Sequence, residues 1–180
     1  MRRFNDIHTH IPGKPDSILS VPVCDVEQVI LENSSSETPQ YYSLQLHPWH
    51  LTGEKDIELF LSKAHQLCQD PCFVAIGECG LDSLSSTPLP LQKKAFRAAL
   101  QVADELHKPV IIHCVKLWAE VMAEVRGHEG PFIIHGFRKG SALAKQLLDA
   151  GFSLSLGIHY QPEVMEIIPP ERLYRETDEN

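Results

Sequence analysis

Short hydrophobic runs, rich in β-branched and aromatic residues, recur along the whole chain and predict eight β-strands. Most of these runs are continuously apolar rather than alternating, which is typical of parallel strands covered on both faces. The predicted strands cover residues 3–8, 17–23, 41–47, 72–78, 109–114, 131–137, 152–157 and 173–178.

Helical patterns separate most of these strands. Apolar residues recur at helical spacing over residues 56–68, 89–107 and 141–151, and each stretch carries polar residues on its opposite side. The third stretch starts at Ser141, a suitable N-cap, and ends at Gly151, a suitable residue just past a helix. The alternation of strands with helices therefore predicts an α/β fold.

Eight strands favour a (β/α)8 barrel of the TIM type over a doubly wound sheet. We expect one domain over residues 1–180, because the chain is short even against the ~250 residues of a typical barrel. The connection at 11–16 is too short for a helix, and the sequence stops soon after strand eight. The predicted barrel is therefore compact and lacks the eighth helix.

Side chains suited to metal binding or acid–base chemistry stand at the ends of six predicted strands. The carboxyl ends of barrel strands form the active-site face in enzymes of this fold. A single histidine at a strand end is more often structural, but six such strand ends on one face favour a functional site. These residues are His8 and His10, then His47, Glu78, His113, His135 and Asp178.

Imidazole and carboxylate ligands together suit zinc, manganese or iron better than calcium. The set exceeds the three protein ligands that a catalytic zinc usually takes. Two ions bridged by a carboxylate would account for the surplus, and such a pair can hold both the attacking and the leaving oxygen of a phosphoester.

The charge of the chain changes this picture only in part. A net charge of −8 argues against a broad basic surface for duplex nucleic acid. It does not exclude a nuclease, because two bound cations would make the cleft attractive to phosphate. We expect a cytoplasmic protein, since the N-terminus lacks an apolar signal segment and no run approaches the ~20 apolar residues of a membrane span.

Several segments resemble the signatures of the TatD family of metal-dependent hydrolases and deoxyribonucleases. In chain order these are "DIHTH", "LHPWH", "AIGECGLD", "KPVIIHC", "IIHGF", "GFSLSLG" and "RETD", and together they extend from strand one to strand eight. The resemblance implies a barrel of the amidohydrolase superfamily that hydrolyses phosphodiester bonds in DNA, exonucleolytically on single strands, with a water activated by two metal ions.

The resemblance also implies roles for the candidate residues, with zinc, magnesium or manganese as the ions. His8, His10 and Asp178 would hold one ion, His113 and His135 the second, and Glu78 would bridge them.

Four further residues receive roles outside this ligand set. His47 would contact the phosphate, and together with Asp178 and Glu78 it completes the expected catalytic set. Asp6 would orient a ligating imidazole, although capping a turn is an alternative for it. Many relatives carry an arginine two residues after the strand-five histidine; Val115 stands there in this chain. Lys116 or Arg138 could replace that phosphate contact.

Other functions stay open. A small amide, lactone or phosphoester is an alternative substrate, because a fold does not fix the chemistry of its site. A non-catalytic barrel that binds a partner is a second alternative. An uncovered seam between strands one and eight would leave apolar surface exposed, so we expect either association into a homo-oligomer there or a frayed last strand.

Overall fold

The computed structural model describes residues 4–178, which contain eight strands and six α-helices. The strands are β1 (Asp6–Thr9), β2 (Ser17–Pro22), β3 (Tyr41–Leu46), β4 (Phe73–Asp82), β5 (Val110–Val115), β6 (Phe132–Ile134), β7 (Ser153–Leu156) and β8 (Leu173–Arg175). The helices are α1 (Val26–Ser34), α2 (Glu54–Gln66), α3 (Leu89–Leu106), α4 (Trp118–Glu124), α5 (Ser141–Asp149) and α6 (Pro162–Ile167), and a 3-10 turn covers Pro170–Arg172.

All eight strands form one parallel sheet in sequential order, from β1 to β8. The sheet curves until its two edges meet, and the segment after β8 joins them. The backbone N–H of Asp178 donates to the carbonyl oxygen of His8 at 3.1 Å, and the Thr177 hydroxyl donates to the Asp6 carboxylate at 2.7 Å. The predicted α/β barrel is therefore confirmed, in a nearly closed form.

Strand bounds differ from the prediction at both edges of the sheet. β1 begins at Asp6, and residue 3, where we expected it to start, lies outside the described residues. β8 ends at Arg175, so Asp178 lies three residues beyond the strand instead of within it. No helix links β1 to β2, and between β8 and residue 178 none follows.

β4 is longer than predicted, and Glu78 lies inside it rather than at its end. From Ile76 to Cys79 this strand advances three residues, while its partner β5 advances two, from Val110 to Ile112. Such an extra residue is a β-bulge, a feature that turns a side chain to a new direction. Glu78 lies in this bulge.

The helix predictions were incomplete. Helices α2, α3 and α5 match the predicted stretches, but α1, α4 and α6 were not predicted. The latter two have only seven and six residues, too few for a helical period to be distinctive. Ser141 is not the N-cap of α5: Gly140 occupies that position and no side chain caps the helix.

A small apolar cluster fills the barrel below the predicted site. It joins buried residues of several strands, among them Ile111 of β5 and Ile133 of β6. Two residues further along the chain lie His113, still in β5, and His135, just past the end of β6. Because side chains alternate along a strand, both histidines project to the same side as the isoleucines, one layer above them. A second, larger cluster packs the helices against the sheet.

The described chain offers no helix that is both long enough and apolar enough to cross a bilayer.

Gly80 provides a test of how closely β4 approaches β5. It pairs with His113, and at its φ of +144° an added Cβ would lie 2.0 Å from the His113 carbonyl oxygen. We expect Gly80→Ala to lower the free energy of unfolding by more than the ~1–3 kcal/mol of backbone strain alone, as measured by urea denaturation.

Gly127→Ala is the matched control, because Gly127 has a φ of +88° but open space around its Cβ position. This variant should show the strain without the collision. Equal losses in the two variants would contradict the close approach at Gly80.

Candidate metal centre

The carboxyl ends of the strands surround a cavity of about 250 Å³. Its lining brings together most of the residues that the sequence singled out, while His8 is fully buried beside them. The lining residues are His10, Gln45, His47, Trp49, His50, Glu78, His113, His135 and Asp178.

Glu78 occupies the middle of this arrangement, and its two oxygens face different histidines. Oε2 lies 3.3 Å from His8 Nε2 and 4.0 Å from His10 Nε2. Oε1 lies 2.7 Å from both His113 Nδ1 and His135 Nε2. A carboxylate so placed can contribute one oxygen to each of two ions.

The first group of ligand atoms consists of His8, His10 and Asp178. Oδ1 of Asp178 lies 3.6 Å from His8 Nε2 and 3.8 Å from His10 Nε2. Neither ring nitrogen of His8 has a hydrogen-bond partner among the described residues, although the ring is completely buried. A buried polar atom without a partner costs ~1–3 kcal/mol. A cation between these three side chains would provide the missing partner for Nε2, so the residues fit a metal ion.

The second group consists of His113 and His135. Their facing nitrogens, Nδ1 and Nε2, are only 3.3 Å apart. Two imidazole nitrogens at this distance need a proton or a cation between them, since two lone pairs repel. This pair therefore also fits a metal ion, with Glu78 as the shared third ligand.

The electrostatics of the cluster agree with this interpretation. Burial by itself lowers the pKa of His135, but the carboxylates of Glu78, Glu176 and Asp178 together raise it to about 9. Burial would likewise raise the pKa of Glu78, yet His135 and the other imidazoles hold it well below its usual range. The carboxylate thus stays ionised and draws a positive charge into the cluster, where a metal ion would replace the proton.

Asp82, at the end of β4, fixes the ring of His113. One of its oxygens, Oδ2, lies 2.9 Å from His113 Nε2, which leaves Nδ1 directed at Glu78. The other oxygen accepts the backbone N–H of Leu84 at 2.7 Å. Carboxylates commonly orient ligating histidines in this way. Asp82 was not among the residues predicted from the sequence. The available indication was its position as the last residue of the "GECGLD" segment.

Glu176 is a second carboxylate that the sequence analysis missed. It is buried, its Oε1 accepts the backbone N–H of Gly136 at 2.5 Å, and the same oxygen lies 3.8 Å from His135 Nδ1. It therefore adds negative charge on the far side of the His135 ring. The available indication was its position in the "RETD" segment, two residues before Asp178.

His47 is held as a hydrogen-bond donor toward the cluster. Its Nδ1 lies 3.2 Å from the backbone nitrogen of Trp49. Because an amide N–H can only donate, Nδ1 is the acceptor and the proton of the neutral ring sits on Nε2. That atom points at Glu78 Oε1, 3.2 Å away. A protonated Nε2 cannot bind a metal, but it can donate to a phosphoryl oxygen, the role predicted from sequence.

Asp6 contacts backbone instead of a ligand imidazole. Its Oδ1 accepts the N–H groups of His8 at 3.1 Å and Thr177 at 3.2 Å. The predicted contact between Asp6 and a histidine ring is therefore wrong. It holds the β1 backbone against the segment after β8, and so positions His8 and Asp178 indirectly.

The two candidate replacements for the missing arginine lie in different surroundings. The Arg138 guanidinium is 3.6 Å from Asp178 Oδ2 and 57% exposed, at the edge of the centre. Lys116 is exposed at the end of β5 and does not contribute to the cavity lining. Neither side chain lines the cavity, but Arg138 contacts Asp178 at its edge.

Comparison with known proteins gives a consistent result. The family profile described as "TatD related DNase" matches residues 19–179. The "3'-5' ssDNA/RNA exonuclease TatD" of Edwardsiella piscicida is 31% identical over 148 residues, which cover 73% of this chain and 53% of that protein. The "Uncharacterized metal-dependent hydrolase YabD" of Bacillus subtilis is 32% identical over 146 residues, 72% of this chain and 56% of its own length.

Among solved structures, the TatD homologue YjjV of Escherichia coli superposes with a TM-score of 0.81 at 22% identity, covering 98% of this chain and 79% of its own. This likeness supports the fold. The chain spans about half the length of the first curated relatives it matches.

Asp82→Asn tests the orienting role of this carboxylate. The amide removes the charge and can present its N–H₂ group to His113, so we expect metal affinity to fall by about 10- to 100-fold, with little change in the free energy of unfolding. Competition titration with a chromogenic chelator measures the affinity.

Asp104→Asn is the matched control, because Asp104 pairs with His128 Nδ1 away from the cavity. This variant should bind metal as the wild type does. Equal affinities in all three proteins would contradict the role assigned to Asp82.

Proposed function

The chain belongs to the TatD-related DNase family, and on this premise we propose that it is a metal-dependent hydrolase of phosphodiester bonds in single-stranded DNA. The observation that carries the proposal is Glu78, whose two oxygens face two separate groups of histidines. Paired divalent ions suit the in-line hydrolysis of phosphoesters. The exonuclease name of relatives at about 31% identity supports a nucleic acid substrate and cleavage from a strand end.

We assign the ligands as the distances suggest. His8, His10 and Asp178 would hold one ion, His113 and His135 would hold the other, and Glu78 would serve both. The mixed nitrogen and oxygen donors suit zinc or manganese, and magnesium is a third candidate. When bound, such ions polarise phosphoryl oxygens and bring the pKa of a water toward ~7.

The remaining work falls to side chains around the ions. His47 Nε2 donates a hydrogen bond to a phosphoryl oxygen, and Arg138 provides a positive charge at the mouth. Such donors are effective because they are already oriented before charge develops on the phosphate. Asp178 accepts the proton of the attacking water: its backbone is fixed to His8, while its side chain keeps 22% exposure toward the cavity.

Two other functions are alternatives: hydrolysis of a small molecule, and binding of a partner without catalysis. The net charge of −8 would suit a small amide, lactone or phosphoester at least as well as a polyanion. A barrel that only binds a partner would turn over nothing.

A substrate panel tests the proposal. We expect metal-loaded protein to cleave end-labelled single-stranded DNA, to cleave bis(p-nitrophenyl) phosphate more slowly, and to leave a simple lactone intact. Exhaustive chelation should abolish cleavage and added manganese or zinc should restore it. Faster turnover of the lactone with DNA intact, full activity after chelation, or no turnover of any substrate would each contradict the proposal.

Asp178→Asn tests the proton acceptor. The substitution keeps the volume of the side chain but removes the base, so kcat on DNA should fall about 10²- to 10⁴-fold, with a much smaller change in KM. Because Asp178 is also assigned to one of the ions, kcat is measured at saturating metal, and elemental analysis should give two ions per chain in the wild type.

Asp149→Asn, on the exposed end of α5, is the control and should behave as wild type. Near-normal turnover of Asp178→Asn with both ions bound would remove the proposed role of Asp178. One ion at most in the wild type would contradict the bridging role of Glu78.

A further inference from the structure

Trp49 has a largely exposed side chain, but the residue is fixed by hydrogen bonds to Asp82 and His47. Its side chain lines the cavity of the metal centre and is 58% exposed. The indole Nε1 nevertheless donates to Asp82 Oδ2 at 2.6 Å, and the backbone N–H donates to His47 Nδ1 at 3.2 Å. The ring is thus fixed at one edge, while much of it remains open to solvent.

The loop that carries Trp49 is braced from a neighbouring loop. Ser85 Oγ donates to the Pro48 carbonyl oxygen at 3.0 Å, and Thr87 Oγ1 donates to that of Leu51 at 3.1 Å. Both donors lie in the loop between β4 and α3. These hydrogen bonds therefore fix the loop after β3, which carries Trp49, to the loop after β4. A flat ligand would therefore meet a ring that is already in place, which reduces the entropy lost on binding.

Other exposed apolar side chains lie on the same side of the barrel. Ile11, Leu84 and Ile158 follow β1, β4 and β7, and they are 38%, 64% and 76% exposed. With Trp49, which follows β3, they account for four of the six exposed large hydrophobic residues found within residues 4–178. The face that carries the metal ligands therefore also offers apolar contacts beyond them.

This combination fits a ligand with an anionic group beside a flat apolar one. The Trp49 and His47 rings lie 6.1 Å apart between centroids. A phosphate bound by His47 Nε2 and a ring placed against Trp49 would then belong to one nucleotide or to two adjacent ones. An aliphatic phosphoester would make no use of the indole.

We propose that Trp49 is the stacking platform for an unpaired base of the substrate strand, next to the phosphate held at His47. This inference rests on the proposed nuclease function and deepens it. Inside a duplex both faces of a base are already stacked, so only an unpaired or terminal base can present a face to the indole. Because every base has such a face, Trp49 selects single strands without selecting sequence.

Two substrates separate stacking from phosphate binding: oligo-dT, and a strand of equal length in which every base is replaced by an abasic tetrahydrofuran residue. We expect Trp49→Ala to raise KM for oligo-dT by about 5- to 150-fold, which corresponds to the ~1–3 kcal/mol of one base stacked on one aromatic ring. KM for the abasic strand should not change. Trp49→Phe, which loses the bond to Asp82 but keeps an aromatic ring, should recover most of the affinity for oligo-dT.

Fluorescence provides a readout that does not depend on cleavage. The chain has two tryptophans, so Trp118→Phe leaves Trp49 as the one indole. On rapid mixing, oligo-dT should quench its emission before turnover, and the abasic strand should not. Leu31→Ala removes an apolar side chain of similar exposure, 65%, from α1, and it should leave KM for both strands unchanged.

The outcomes distinguish the two proposals. If Trp49→Ala impairs both strands equally, Trp49 acts only through Asp82 and His47, and stacking is wrong while the nuclease function stands. If the wild type cleaves both strands with equal KM, the base is not recognised, and stacking is again wrong. If the wild type neither cleaves nor responds to either strand, the proposed function fails and this inference fails with it.

Discussion

The burial of one carboxylate among imidazoles is the constraint on which the rest of this site depends. Glu78 is only 5% exposed, and a buried ionised group is costly unless charges and hydrogen bonds compensate it. His47, His113 and His135 provide that compensation, and they come from the ends of three different strands. A closed sheet of parallel strands is an arrangement that can bring these side chains to one point, so the barrel and the site imply each other.

A single strand, β4, contributes more to this centre than any other. Its bulge directs Glu78 inward, Gly80 lets the backbone approach β5 closely, and Asp82 ends the strand with bonds to both His113 and Trp49. The same carboxylate oxygen thus fixes a residue assigned to metal binding and one assigned to the substrate. A change in the position of β4 would move both together, which links the ligand geometry to the surface that meets the substrate.

The sequence predicted this site better than it predicted the backbone that builds it. Strand periodicity and the residues near strand ends were sufficient to place His8, His10, Glu78, His113, His135 and Asp178 on one face, although Asp178 lies three residues beyond β8. Asp82, Glu176 and the contacts of Asp6 depend on which distant residue a carboxylate meets, and on a register shift in β4. No local pattern encodes either. Glu78 was predicted at the end of a strand and instead lies within β4. The bulge nevertheless turns its side chain toward the other ligands, as the prediction of a shared site required.

Charge limits how such a site can hold a nucleic acid. A chain with a net charge of −8 gains little from a long track of phosphate contacts, since those depend on many lysines and arginines. Under the proposed function, recognition must then be local: two ions, His47 and Arg138 at one phosphate, and Trp49 at one base. A site that binds so short a piece of the strand is suited to the end of a chain, where one nucleotide is free on one side and its base has lost a stacking neighbour. Under the proposed function, the net negative charge and the small cavity together favour cleavage from an end of the strand.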